Sequence, residues 1–102
     1  MLTLTIKKKW FDMICSGEKK EEYRDCSLYY YRRFQRYLGW NVINGQRTKE
    51  EFLARLRNGY DMTSPSIVVR CTVSRGYGRP EWGAEPGKQY YVLDIISLEP
   101  ER

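Results

Sequence analysis

The sequence contains no histidine, and its 102 residues include only three cysteines, Cys15, Cys26 and Cys71. No two cysteines have the close spacing of a zinc-binding pair, and without histidine neither a Cys–His nor a Ser–His–Asp catalytic arrangement is possible. We interpret the cysteines as small apolar residues in a reducing compartment. The sequence therefore predicts no metal site and no cofactor, and it restricts any catalysis to other polar side chains.

Long apolar runs are also missing. No stretch approaches the roughly 18 residues that a membrane span needs, and the first basic cluster follows a short apolar stretch, the reverse of a signal peptide. We therefore expect a cytoplasmic protein with no membrane partner. The length fits one domain, residues 1–102, because a single hydrophobic core usually needs about 50 to 200 residues.

Acidic residues are absent from one region of the chain. There is none between Cys26 and Lys49, whereas three of the arginines there follow one another closely in the sequence YYYRRFQRY. Over the whole chain, 18 lysines and arginines outnumber 13 acidic residues, so that the net charge is +5. This balance favours a polyanionic partner and predicts that one surface is strongly positive.

The first quarter of the chain shows a strand pattern, then a helix pattern, then a second strand. Residues Leu2–Ile6 alternate between apolar and polar, as in a strand with one buried face. From Lys8 the apolar spacing is that of one side of a short helix, and Gly17 follows where a left-handed C-terminal cap is common. The polar segment Lys19–Asp25 is predicted as a short strand.

Two further helices are predicted in the middle of the chain. Ser27 is suited to cap a helix whose apolar stripe runs to Leu38, with a glycine directly after it. Thr48 and Glu51 have the spacing of a capping box, and the apolar residues that follow predict a third helix. These apolar residues are Phe52, Leu53 and Leu56.

The last third of the sequence predicts two long strands. Ser66–Ser74 and Gln89–Leu98 are rich in strand-forming residues, and the loop between them contains several glycines and prolines. The predicted order is β, α, β, α, α, β, β. This order indicates an α+β domain with a small, mostly antiparallel sheet.

One segment resembles a known family signature. Ile14–Arg24 reads ICSGEKKEEYR, in which Gly17, Lys19, Glu22 and Arg24 form the pattern GxKxxExR directly after an amphipathic helix. This pattern resembles the signature of the ASCH family. The strand and helix before it agree with the family's layout, and the closing hairpin, with its GYG and PEWG loop segments, is similar to that of small bacterial and phage members. About half of the chain carries the resemblance.

The resemblance implies a PUA-like small β-barrel, mostly antiparallel, with flanking helices and a cleft near the GxKxxExR strand. Members of the group are implicated in RNA binding and RNA-linked regulation, some have ribonuclease activity, and one branch hydrolyses the acetyl amide of N4-acetylcytidine. In that branch a catalytic lysine stands at the position of Lys19, but a threonine stands where this chain has Glu22. Deacetylation here would therefore need a different mechanism.

Lys19, Glu22 and Arg24 are the candidate catalytic residues. Glu22 and Arg24 are two residues apart, so on a strand their side chains leave the same face and are able to orient one another. Lys19 lies at the start of the predicted strand, before its register settles, and is able to swing toward the same place, where burial or a nearby cation would lower its pKa and make it a base or nucleophile. With an ordinary pKa it would be a phosphate-binding cation. The alternative is structural, with Glu22 and Arg24 as an ion pair and Lys19 in solvent. The spacing alone does not settle whether Lys19 or Lys20 faces the cleft.

The candidate nucleic-acid-binding residues combine aromatic rings with arginines, which suits stacking on unpaired bases and neutralisation of phosphates. They lie in the predicted basic helix and in the loop before the last strand: Tyr30, Arg32, Arg33, Arg36 and Tyr37, and then Arg79 and Trp82. The alternative is that the helix arginines are a solvated face. The loop is either a lid that closes over the cleft or a hairpin loop held in place by Trp82.

Three hypotheses about function follow. The first is binding of single-stranded RNA or a nucleotide, with the basic helix supplying affinity and the GxKxxExR residues defining a base-sized cleft. The second is an enzyme in the same cleft, either a metal-independent ribonuclease or an amidohydrolase that uses Lys19 and Glu22. The third is a protein-interaction module whose tyrosine-rich helix packs against another chain.

Overall fold

The computed structural model describes residues 1–38 and 50–99, and these form two α-helices, five strands and a short 3-10 turn at Pro80–Trp82. In chain order the elements are β1 (Leu2–Thr5), α1 (Lys8–Cys15), β2 (Glu21–Asp25), α2 (Leu28–Leu38), β3 (Phe52–Arg57), β4 (Ser66–Tyr77) and β5 (Gln89–Glu99). None of the helices described is long and apolar enough to cross a membrane.

The five strands form one sheet in the order β1-β3-β4-β5-β2. Strands β1 and β3 are parallel, whereas the other three neighbouring pairs are antiparallel. The sheet curls into a half-barrel, and β1 and β2 are its two edges. The expectation of an α+β domain with a mostly antiparallel sheet is therefore confirmed.

The hydrophobic core lies on one face of the sheet, between the strands and the two helices. Alternate residues of every strand but β2 point into it, as the period of two requires. Helix α1 contributes Ile14 and helix α2 contributes Phe34, whose ring packs edge-on against Tyr91 of β5 with the centroids 5.2 Å apart. The amphipathic faces of both helices are thus buried against the sheet that they cover.

Local signals predicted β1, α1 and α2 correctly, and the strand predicted at Lys19–Asp25, which relied partly on the family resemblance, is found at Glu21–Asp25. Gly17 has a left-handed backbone with φ of 83° and follows α1, and Lys19 N donates a 3.0 Å hydrogen bond back to Met13 O. Ser27 Oγ accepts a 3.3 Å hydrogen bond from Tyr30 N and caps α2. The glycine predicted to end α2, Gly39, lies outside the described residues.

The prediction of a third helix is wrong, because Phe52–Arg57 is strand β3. Ala54 and Leu56 are fully buried and lie opposite core residues of both β1 and β4, whereas Leu53 points away from the core. Strands β1 and β4 satisfy the backbone hydrogen bonds of this segment on both sides, and alternate side chains are buried. These interactions outweigh the preference for a helix that the spacing of the apolar residues suggested. Thr48, half of the predicted capping box, lies outside the described residues.

The strand assignment of β3 predicts different effects for two leucines that a helix would bury together. Leu56→Ala removes a side chain that is 0% exposed, so we expect the free energy of unfolding to fall by about 2–4 kcal/mol. Leu53→Ala is the matched control, since this side chain is 37% exposed, and we expect a loss below about 1 kcal/mol. Urea denaturation measures both, and equal losses would contradict the strand.

Candidate functional site

The candidate site is a cleft at the open side of the half-barrel, between the two edge strands. Because β1 and β2 are not neighbours in the sheet, the gap between them is crossed by a side chain: Arg24 of β2 donates a 2.9 Å hydrogen bond to Thr5 O of β1. The cleft beside this bridge has a volume of about 330 Å³. Its walls come from the end of β1, from β2, from both helices and from the loop before β5.

Two charged residues of β2 occupy positions on the core face of the sheet. Glu22 lies opposite Leu93 and Arg24 opposite Tyr91, and both partners belong to the hydrophobic core. The prediction that Glu22 and Arg24 share a face is therefore confirmed. Glu22 is buried, and a buried carboxylate is stable only when it is paired and hydrogen-bonded.

Lys19 is one partner of the buried carboxylate. Its Nζ lies 3.0 Å from Glu22 Oε1 and donates a 2.6 Å hydrogen bond to Trp82 O. The ammonium also lies 5.0 Å from the centroid of the Trp10 ring and 4.8 Å from that of Tyr23, within the range of cation–π attraction. The Lys19 side chain is 1% exposed, so the ammonium is enclosed on all sides by these groups.

Of the two neighbouring lysines, Lys19 turns toward the interior of the protein. Lys19 is buried, whereas Lys20 is exposed. However, Glu22 and Arg24 line the cleft and Lys19 is not among the lining residues. Lys19 thus stands behind the cleft wall, where it connects β2 to the loop before β5.

Arg24 is the second partner of the carboxylate. Its Nη1 donates to Glu22 Oε2 at 2.5 Å and to Tyr23 O at 2.8 Å, in addition to the bond that its Nη2 makes with Thr5 O. The Tyr30 ring of α2 lies beside the guanidinium, at 5.9 Å from its centroid. Each oxygen of Glu22 therefore holds one cation, and the three side chains together carry one positive charge. We call Lys19, Glu22 and Arg24 the buried triad.

The loop at residues 78–88 forms one wall of the cleft and is held by packed glycines. Gly78 lies against the Tyr23 ring, where a Cβ atom would come within 2.5 Å of a ring carbon. Gly83 has φ of 103° and lies against Trp10, where a Cβ atom would be 2.9 Å from the indole. Both positions need glycine because the backbone itself is the packing surface.

Hydrogen bonds hold the same loop to two tyrosines. Tyr23 Oη accepts from Arg79 N at 2.9 Å and donates to Glu21 at 2.7 Å, and Tyr90 Oη accepts from Glu85 N at 2.9 Å. Together with the bond from Lys19 to Trp82 O, these contacts support a loop fixed to the sheet over one that closes as a lid.

Five of the seven predicted nucleic-acid-binding residues line one of two places in the structure. Tyr30 and Trp82 line the cleft. A second groove, of about 490 Å³, runs along α2 and is lined by three of the predicted arginines together with two neighbours: Arg32, Arg33, Arg36, Leu28 and Tyr29. Tyr37 is exposed but lines neither place, and Arg79 is exposed with its guanidinium 4.8 Å from the Trp82 ring centroid.

Several residues of the cleft lining were not predicted as site residues, among them Lys7, Trp10 and Tyr90. Trp10 lies in the segment predicted as the first helix, Lys7 in the first basic cluster, and Tyr90 in the predicted last strand. No local pattern distinguishes them, because long-range contacts bring them to the cleft. The nearest signal is the frequency of aromatic residues on either side of the GxKxxExR pattern.

Comparison with known proteins does not add to these observations. No protein-family model, curated protein or solved structure matches the chain. Among the described residues there is also no group of three or more acidic or cysteine side chains placed to hold a metal ion. The function of the cleft is therefore argued from its own geometry and charge.

The enclosure of Lys19 predicts an altered titration. Burial lowers the pKa of Lys19 below its ordinary value of 10.5, and the Glu22 carboxylate opposes this change without reversing it. Between the lowered pKa and 10.5 the unfolded chain binds more protons at this residue than the folded chain does. This group therefore adds stability as the pH rises through that interval.

We expect NMR of the protein labelled with ¹³C at the lysine Cε atoms to resolve one lysine that titrates below 10.5 and disappears in Lys19→Met. Lys20→Met is the matched control and should leave that titration in place. A Lys19 signal that titrates at or above 10.5 would contradict the conclusion that burial lowers the pKa of Lys19 by more than the Glu22 carboxylate raises it.

Proposed function

We propose that this protein is an ASCH-type domain of PUA-like architecture that binds RNA or a nucleotide in the cleft beside the buried triad. The observation that carries the proposal is the combination of aromatic walls and a fixed guanidinium in one small cleft. Trp10, Tyr30 and Trp82 line the same cleft as Glu22 and Arg24. Aromatic faces stack on unpaired bases, while donors and acceptors at the floor recognise base edges.

The floor of the cleft offers both kinds of hydrogen-bonding group. A carboxylate oxygen accepts more than one hydrogen bond, so each oxygen of Glu22 retains acceptor capacity after pairing with its cation. Arg24 contributes a guanidinium that the strand carbonyls hold in one orientation. The volume of about 330 Å³ lies at the lower end of the range of about 300 to 1,000 Å³ found for small-molecule sites, as expected for a site that holds a single base.

The charge around the cleft also favours a phosphorylated ligand. Lys7 lies on the cleft lining, and the carboxylate of Asp25 on the same lining is paired with Lys88 Nζ at 2.9 Å. The groove along α2 adds further arginines next to the cleft. A chain with a net charge of +5 that concentrates arginines at one site attracts phosphates.

Each of the four fixed positions of the GxKxxExR pattern has a physical role in the cleft, which supports the proposed ASCH-type assignment. Gly17 supplies the left-handed turn after α1, and that turn directs Lys19 inward toward Glu22. Glu22 and Arg24 then share one face of β2. All four positions thus contribute to a single arrangement, which is what a family signature around a cleft requires.

Binding is favoured over catalysis because of where Lys19 lies. A lysine acting as base or nucleophile must reach the substrate, whereas the Lys19 side chain is 1% exposed and already donates to two oxygens. We assign Lys19 the role of a positioning residue, which holds Glu22 and the Trp82 wall in place. A ribonuclease or amidohydrolase would have to use Glu22 and Arg24 without direct help from this lysine.

The proposal predicts that Trp82→Ala weakens binding of a fluorescein-labelled single-stranded oligouridylate, as measured by fluorescence anisotropy. Loss of one stacking surface costs about 1–3 kcal/mol, so we expect a dissociation constant about 5-fold to 150-fold higher. The variant keeps the backbone oxygen that Lys19 needs. Tyr60→Ala is the matched control, because Tyr60 is 94% exposed on the connection between β3 and β4, and it should leave the affinity unchanged.

Binding should also weaken steeply with salt, since phosphate contacts release counterions. Absence of salt-dependent binding by the unaltered protein would contradict the proposal. Equal effects of Trp82→Ala and Tyr60→Ala would show that RNA binds elsewhere. A protein partner that binds at high salt would favour the third hypothesis instead.

A further inference from the structure

Two arginines from different elements are held on the same free edge of β1. Arg24 of β2 donates through Nη2 to Thr5 O at 2.9 Å, and Arg33 of α2 donates through Nη2 to Thr3 O at 2.7 Å. Among the described strands β1 is an edge strand, so its outward-facing carbonyls have no partner strand there. These carbonyls fix both guanidinium groups without neutralising their charge.

A tyrosine ring lies against each of these arginines. The guanidinium carbon of Arg24 is 5.9 Å from the Tyr30 centroid, and that of Arg33 is 5.6 Å from the Tyr29 centroid. The two tyrosines are consecutive on α2, and their rings meet edge to face at 4.9 Å. The arrangement of arginine, strand carbonyl and tyrosine therefore occurs twice, side by side.

The spacing of the two arrangements follows from strand geometry. Thr3 and Thr5 are two residues apart on β1, so their carbonyl groups are separated by roughly 7 Å. This length is comparable with the separation of neighbouring phosphates along a single nucleic-acid strand. The arrangement at Arg24 opens into the cleft and the one at Arg33 opens into the groove along α2.

The groove has the charge that a phosphate chain requires. Among its described lining residues there are three arginines, one tyrosine and one leucine, and none is acidic. Tyr29 is largely exposed and presents a ring next to these charges. Single-strand-binding proteins combine the same two features, a positive track for the backbone and aromatic surfaces for successive bases.

We infer that the edge of β1 carries two successive nucleotide subsites, one at Arg24 and Tyr30 and one at Arg33 and Tyr29. The ligand that fits them is a single-stranded oligonucleotide, which crosses from the cleft into the groove, rather than a free nucleotide. This inference rests on the proposed function and specifies the length of its ligand. The base in the cleft is read by Glu22 and Arg24, while the second subsite supplies affinity.

The test is a competition experiment against fluorescein-labelled hexauridylate, with uridine 5′-monophosphate and the dinucleotide pUpU as competitors. For the unaltered protein we expect the dinucleotide to compete about ten-fold or more better than the mononucleotide, because the second subsite is then engaged intramolecularly. Arg33→Gln should reduce this advantage to about three-fold or less and leave the mononucleotide affinity within about two-fold.

Arg70→Gln is the control, since it removes the same charge from the opposite face of the sheet, where Arg70 pairs with Glu99, and it should leave the ratio unchanged. Tyr29→Leu alters an exposed ring and tests the same subsite if Arg33→Gln fails to fold. The salt dependence of hexauridylate binding should also become shallower by about 0.7 in Arg33→Gln, the value for one lost phosphate contact on a single strand.

The outcomes separate this inference from the proposed function. If hexauridylate does not bind the unaltered protein, both are contradicted. If hexauridylate binds but the dinucleotide competes no better than the mononucleotide, the two subsites are contradicted and the proposed function stands. Equal weakening of both competitors by Arg33→Gln or Tyr29→Leu would likewise exclude a separate second subsite.

Discussion

The cleft depends on one buried carboxylate that two cations share. Glu22 points to the core face of the sheet, where an unpaired charge would cost several kcal/mol. Lys19 and Arg24 each bind one of its oxygens, and each also donates to backbone carbonyls of other segments. The two cations that neutralise Glu22 therefore also hold neighbouring segments in place: Arg24 holds β1, and Lys19 holds the loop at residues 78–88.

This arrangement gives an open sheet a defined gap. A closed barrel would pair β1 with β2 through their backbones and leave no room for a ligand at that edge. Here the Arg24 side chain makes the connection instead, and Trp10 and Trp82 enclose the space beside it. A guanidinium and a carboxylate held between aromatic rings at the wall of a cleft result directly from the incomplete closure. Helix α2 extends the same positive surface beyond the gap.

Prediction from sequence succeeded where local interactions decide the structure. The period of two, the cap at Ser27 and the left-handed Gly17 predicted β1, α1 and α2, whereas the prediction of β2 relied partly on the family resemblance. On that strand, the period of two placed Glu22 and Arg24 on one face. Prediction failed at β3, where the apolar spacing fits a helix and pairing with two distant strands makes it a strand.

The burial of Lys19 was equally beyond local reasoning. The carbonyl that accepts its hydrogen bond belongs to Trp82, 63 residues further along the chain, and no pattern near Lys19 indicates that partner. Strand pairing and loop packing determine which charged residues become buried, and neither is encoded in a short segment. The same limit applies to Trp10 and Tyr90, which reach the cleft only through the folded arrangement.

The most direct test of this account is the free energy of unfolding of Lys19→Met compared with that of Lys20→Met. Removing one partner of a buried ion pair costs about 3–5 kcal/mol, so we expect a loss of this order for Lys19→Met. An exposed lysine contributes less than about 0.5 kcal/mol, so Lys20→Met should be close to the unaltered protein. Similar small changes in both variants would contradict the claim that the buried triad organises the cleft.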